Sequence, residues 1–252
     1  MARRRPPDRL VQILDAATRI FARTGLARSK MSDVAAEAGV SQGTLYNYVE
    51  SKEALFRLLL DRGLGASLPP PDSLPLRSPA PGALARRMKD AIGANFALPR
   101  LDEAIKRRRV VDAAAELAGV IEELFERTSA TRESADVLER SARDVPELAD
   151  VFFRQVRAGL IARLEQLMSR RIAAGHYRPS HPAILARLAL ETVTTFARHI
   201  HGDVEPFPHD AVAVREVVVA TLVAGIVAPG PGSARTTRSF RRRHAVGGRM
   251  ED

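Results

Sequence analysis

Between residues 42 and 52 the chain sets out two side-chain amides, Gln42 and Asn47, three hydroxyls, Thr44, Tyr46 and Tyr48, and the ammonium of Lys52. An amide can present a donor and an acceptor side by side to the edge of adenine, and hydroxyls and ammonium groups bind phosphate oxygens. The set suits recognition of a nucleic acid rather than turnover. Gly43 among them removes a side chain where a backbone would have to approach its target closely.

The flanking residues supply the elements needed to position this set. Leu10, Ile13, Leu14, Ala17, Ile20 and Phe21 recur at helical spacing and predict a first amphipathic helix that ends at Gly25. Val34, Ala35 and Ala38 predict a second, short helix. Gly39-Val40-Ser41 then makes a tight turn into a third helix that starts at Gln42. Two short helices around a glycine turn are a helix-turn-helix, whose second helix enters the major groove. Ser51 is expected to cap a fourth helix, with Glu53 in its first turn and Leu55, Leu58 and Leu59 inward.

At these residues the chain resembles the TetR family of helix-turn-helix transcriptional regulators. The resemblance is carried by Ile13-Leu14-Asp15-Ala16-Ala17, Phe21, Gly25, the run 33–41, Gly43-Thr44-Leu45-Tyr46 and Ser51-Lys52-Glu53-Ala54-Leu55. It covers about the first quarter of the chain. Ser29 and Lys30 stand where the family usually has Thr, Val34 where it often has Ile, and Val49 where Phe is common; Ser29 can still cap the second helix. The resemblance places base contact on Gln42 and Asn47, with Ser32 as a third candidate, and phosphate contact on Thr44, Tyr46, Tyr48 and Lys52, around Gly43. Leu45 is expected in the core. It further implies an all-α protein: a three-helix DNA-binding head joined through a fourth helix to a larger helical domain that binds a ligand and dimerises.

Charge follows the same division. Of a formal net charge of +9, residues 1–63 hold 11 Lys/Arg against 7 Asp/Glu and residues 229–252 hold 6 against 2, so the middle is nearly neutral. Basic ends suit a polyanionic partner, and solubility alone also accounts for them. Arg3, Arg4 and Arg5 could form an arm into a minor groove or a solvated terminus, and Arg241-Arg242-Arg243 could add phosphate contacts or be inert. The absence of cysteine excludes disulfides, thiol redox sensing and Cys-based zinc sites. No signal-peptide core follows the initial arginines, and the longest apolar run, 217–228, is too short to span a bilayer. A cytoplasmic protein with no membrane partner is expected.

Beyond the head, residues 66–82 are proline-rich and read as a linker or long loop. Helical periodicity resumes over 83–97, 101–128 and 131–142. Asp144 and Glu147 suggest a capping box for a long helix ending at Gly175, Ser180 and Pro182 start another, and a last helix spans about 210–228. The domains expected are a head over 1–65, the linker over 66–82, a ligand-binding and dimerisation domain over 83–228, and a disordered basic tail over 229–252. The last helix is apolar nearly all round and needs more cover than one neighbour supplies. A symmetric homodimer through 181–228, with Val218 and Leu222 at its interface, would supply it; a purely intramolecular core is the other possibility.

Candidate walls of a small-molecule pocket are Phe96, Phe125, Phe152, Phe153 and Phe196, with Thr192, Thr195 and His199 as polar anchors; each also fits ordinary core. His199, His201, Asp203, Glu205 and His209 crowd one region, but two His residues at i, i+2 diverge on a helix and no Cys assists, so a polar loop explains them as well. No metal or cofactor is implied.

Taken together, these features describe a homodimeric regulator of pseudo-palindromic, double-stranded operator DNA, most simply a repressor released by a small-molecule effector. An activator or ligand-independent regulator would use the same scaffold. An enzyme finds no support, since the chain has no Gly-x-Ser-x-Gly elbow, phosphate loop or His-Glu-x-x-His. A DNA coater without operator preference is a third reading.

Overall fold

A computed structural model describes residues 7–63, 65–95, 97–202 and 208–229. The described residues are all-α, with two isolated bridges, Val49 with Leu76 and Tyr177 with Val227, in place of any strand. The arms at Arg3–Arg5 and Arg241–Arg243, with the tail beyond residue 229, lie outside the described residues.

The head is built from α1 (Pro7–Arg28), α2 (Met31–Glu37), α3 (Gln42–Tyr46) and α4 (Lys52–Gly63). Its core follows the expected periodicity: Ile13, Leu14, Ala17, Phe21, Val34 and Leu45 are fully buried, and Phe21 meets Phe56 edge to face at 5.7 Å. Gly25 breaks the regular helix with φ 76° and ψ 164°, a region in which only glycine is comfortable. A Cβ there would also stand 3.2 Å from the Arg140 carbonyl oxygen. Lys30, not Ser29, is the N-cap of α2, and its N–H donates to the Asp33 carboxylate at 3.3 Å. Ser29 fails to cap because its hydroxyl turns back to donate to the Gly25 carbonyl at 2.6 Å and meets Thr24 at 2.7 Å. Ser51 does cap α4, accepting from the Ala54 N–H at 3.2 Å.

Residues 66–82 form an irregular loop with one 3-10 turn, Pro71–Ser73, and it is docked rather than free-standing. Leu74 and Leu76 are buried against the head, the Leu76 N–H donates to the Tyr48 carbonyl and the Glu50 N–H to the Leu76 carbonyl, each at 2.9 Å.

Among the described residues eight further helices follow: α5 (Ala83–Asn95), α6 (Pro99–Lys106), α7 (Ala113–Ala130), α8 (Arg132–Ala142), α9 (Pro146–Ala149), α10 (Ala158–Ala173), α11 (Pro182–Ala197) and α12 (Ala211–Ile226). The single helix expected over 101–128 is two. Asp112 caps α7, accepting from the Ala114 and Ala115 N–H groups at 2.9 Å, while Arg171 donates to the carbonyls of Ala104 and Arg107 that the break leaves open. The expected Asp144 capping box is also absent, because Asp144 pairs with Arg28 at 2.9 Å and Pro146 opens the helix instead. Between α9 and α10 the helix widens into a π segment, Asp150–Arg157. Such widenings recur at functional sites.

Two apolar clusters result. One joins the head to α8 and α9 through Val137, Leu138, Ala142 and Leu148, with Met88 of α5. The other holds α6, α7, α10, α11 and α12 together around Leu117, Ile121, Leu164, Leu167 and Val193. α8 therefore belongs structurally to the head as much as to the larger bundle.

Candidate DNA interface and effector cavity

α3 is five residues long, and the Ser41 hydroxyl caps it by accepting from the Thr44 N–H at 3.1 Å. Leu45 is its buried residue. Gln42, Gly43 and Asn47 are exposed, Tyr46 is 45% exposed, and Thr44 is half-buried with its hydroxyl 2.9 Å from that of Ser41. A Cβ added at Gly43 would find no atom closer than 3.9 Å, so this glycine is not demanded by the head's own packing. Ser32, exposed on α2, donates to Asp33 at 3.3 Å. Gln42, Tyr46 and Asn47 thus project together with their polar ends available.

Two of the expected phosphate contacts have other duties. Tyr48 is 3% exposed and packs in the head core, so its ring supports α3 instead of projecting from it. Lys52 donates from Nζ to the carbonyls of Ala27 at 2.9 Å and Ser29 at 3.3 Å, tying the start of α4 to the turn after α1. Glu37 makes a similar tie between α2 and α1: hydrogen bonds and charge from Arg19 (2.6 Å) and Arg23 (3.2 Å) hold its carboxyl below the ordinary value despite the opposing effect of desolvation.

The candidate pocket residues do not converge on one cavity. Phe152 and His199 line a cavity of about 110 Å³ bounded by α7, α8, the π segment, α10 and α11, with Thr131, Ala135, Glu139, Val156, Arg157, Leu190 and Arg198. Thr192 and Phe196 line a different feature, an apolar groove of about 380 Å³ along α11 and α12 with Val217, Val218 and Thr221. Phe125 is 5% exposed within the bundle core, Thr195 is exposed, and Phe153 stacks edge to face on Phe152 at 4.9 Å. Phe96, Asp203 and Glu205 lie outside the described residues.

Residues 13–59 match the family described as bacterial regulatory proteins, tetR family. Over 231 residues the chain is 25% identical to the fatty acid metabolism regulator protein of Bacillus subtilis (strain 168), covering 90% of this chain and 98% of that one. The head of the chain, residues 13–59, is of the TetR helix-turn-helix type. A shorter stretch of 50 residues, 20% of this chain and 24% of the relative, is 42% identical to the transcriptional regulator TtgR of Pseudomonas putida. In fold, the chain is similar to the ketosteroid transcriptional regulator KstR2 of Mycobacterium tuberculosis (TM-score 0.56, 18% identity, 89% of this chain and 98% of that one). It is also similar to AibR solved with isovaleryl coenzyme A and operator DNA (TM-score 0.52, 17% identity, 86% and 99%). Among the described residues no helix is long and apolar enough to cross a membrane.

One part of the molecule was not legible in the sequence: the ionic wall of the smaller cavity. Arg198, its side chain 8% exposed, pairs with Asp136 at 2.5 Å and with Glu139, and Arg157 pairs with Glu191. These partners lie 59, 62 and 34 residues apart in sequence, beyond the reach of helical spacing. The buried apolar face of α11 gave the only hint.

Proposed function

We propose that the protein is a dimeric repressor whose paired α3 helices read a pseudo-palindromic operator and whose larger helical domain releases it when a small molecule binds. The observation that carries this reading is the division of α3: Leu45 is wholly buried while Gln42 and Asn47 stand exposed beside it. Gln42 and Asn47 are the base-reading residues, with Ser32 beside them on α2. Thr44, Tyr46 and Lys52 hold phosphates, and Gly43 admits the DNA backbone. Dimerisation rests on a second observation. Ile184 (63% exposed), Leu188 (52%), Val212 (49%) and Val217 (65%) leave apolar side chains open along α11 and α12, where a symmetric copy would cover them. The expected interface residues Val218 and Leu222 are instead buried in their own chain at 4% and 5%, because α12 presents them to the bundle.

The relation to a regulator of fatty acid metabolism supports an effector with an apolar body, acting by binding and not by turnover. Ligand and operator favour different head separations, so each weakens the other by the same factor. Selection of an operator from random-sequence DNA, followed by a thermal-shift screen and operator titration with each stabilising compound, tests the reading. Compounds that raise the thermal midpoint are expected to weaken operator binding. Loss of all DNA to random-sequence competitor, or stabilisers that leave operator affinity untouched, would overturn it.

A further inference from the structure

Resting on the ligand-release reading, the geometry points to an anion-exchange latch at Arg198: the effector carries an anionic group that takes Arg198 from its two carboxylate partners on α8, and so loosens the helix that grips the DNA-binding head. α8 has two working faces. On one, Asp136 and Glu139 hold Arg198, and Ala135 and Glu139 line the small cavity. On the other, Val137, Leu138 and Ala142 lie in the head's core, the Leu26 N–H donates to the Ser141 hydroxyl at 3.0 Å, and Arg140 donates to the Arg23 carbonyl at 3.2 Å. The contact is close at both ends. A Cβ at Gly25 would come within 3.2 Å of the Arg140 carbonyl oxygen, and one at Gly63 within 2.6 Å of Ser134 Cβ. A shift of α8 therefore reaches the ends of both α1 and α4.

The sign of the ligand follows from burial. Arg198 is too deeply enclosed to be left without a counter-charge, since an unpaired buried guanidinium is costly. A cationic ligand competing for Glu139 would leave Arg198 in that state. An anionic ligand replaces one partner with another, so Arg198 loses little while α8 loses its tie. Asp136, 41% exposed, can then be solvated, and Glu139 keeps Arg143, which donates to it at 3.4 Å. Arg157 at the same cavity adds positive charge, and Phe152, Val156, Leu160 and Leu190 supply an apolar wall for the ligand body. The class is an apolar molecule ending in a carboxylate or comparable anion.

A homologous series of straight-chain carboxylates, set against the alcohols of equal length, tests the latch with two readouts: thermal midpoint and affinity for a selected operator. Carboxylates are expected to raise the midpoint and weaken operator binding at concentrations on the order of tenfold below the alcohols. The Asp136→Asn/Glu139→Gln double variant should bind operator several-fold more weakly with no ligand added and respond to less carboxylate; should it fail to fold, the single Glu139→Gln variant carries the same test. Arg198→Gln should lose the preference of carboxylate over alcohol in the midpoint assay. Equal action of alcohols and carboxylates, no action by any carboxylate, or wild-type behaviour of the folded α8 variant would each overturn the latch. The release reading falls on a separate result, namely other compounds that stabilise the protein without affecting operator binding.

Discussion

Lys52 Nζ lies 2.9 Å from the carbonyl oxygen of Ala27 and 3.3 Å from that of Ser29, so the ammonium closes the turn between α1 and α2 while standing at the edge of the proposed DNA face. Two of its three donors are thereby used, and the third is left for a phosphate. Lys52→Met is expected to lower unfolding free energy by about 1 kcal/mol, seen as a lower urea midpoint. It should also weaken operator and random DNA alike and reduce the slope of log affinity against log salt by about one unit. An unchanged urea midpoint would deny the bracing role.

Base readout has a different signature. Gln42→Ala and Asn47→Ala should each cost about 1–3 kcal/mol on the operator and flatten preference at particular base pairs, leaving random DNA nearly unaffected. Titrations with both DNAs decide this; equal losses on the two would make these side chains phosphate contacts or fold supports.

At the proposed dimer face, neighbouring residues should behave oppositely. Val217→Asp changes a residue that is 65% exposed and is expected to give a folded monomer. Val218→Asp buries an unpaired charge in the chain's own core and should cost several kcal/mol, about what unfolds a marginal domain. Sedimentation together with circular dichroism separates the two results, and a dimer that survives Val217→Asp would move the interface elsewhere.

Acid should undo the α8 tie. Burial opposes ionisation of Glu139, but the charge and hydrogen bond of Arg198, with Arg143 and the charge of His199, outweigh it and hold the carboxyl below its ordinary value of 4.5. A carboxyl lowered in the folded state contributes stability above that ordinary value and loses it as pH falls through the lowered one. The wild-type thermal midpoint is therefore expected to drop on acidification below about pH 4.5, and that of Glu139→Gln to drop less. Identical acid profiles would show that the pair adds nothing to the fold.

The head was readable because its determinants are local. Phe21 and Leu45 sit at helical spacing, and Gly25 and Gly39 mark turns with φ 76° and 63°. What escaped depends on which way a helix faces. One position on α12 separates exposed Val217 from buried Val218, and an apolar stripe that runs all round gives no sign of which is which. Tyr48 reads as a surface hydroxyl until the docked proline-rich loop bonds to its carbonyl and its ring joins the core. Asp112 carried a capping signal overlooked within a continuous apolar period. The partners of Arg198 could be found only once α8 and α11 were placed together.

α3 is anchored through buried Leu45, the Ser41 hydroxyl cap and the Tyr48 ring that follows it, so the residues that face outward from it take almost no part in holding the head together. Changing Gln42 or Asn47 is expected to alter what the proposed interface reads without altering whether the head folds. Mutation can therefore explore new binding sequences here at little risk to the fold, and the same freedom lets an engineer retarget the regulator while leaving its sensor untouched.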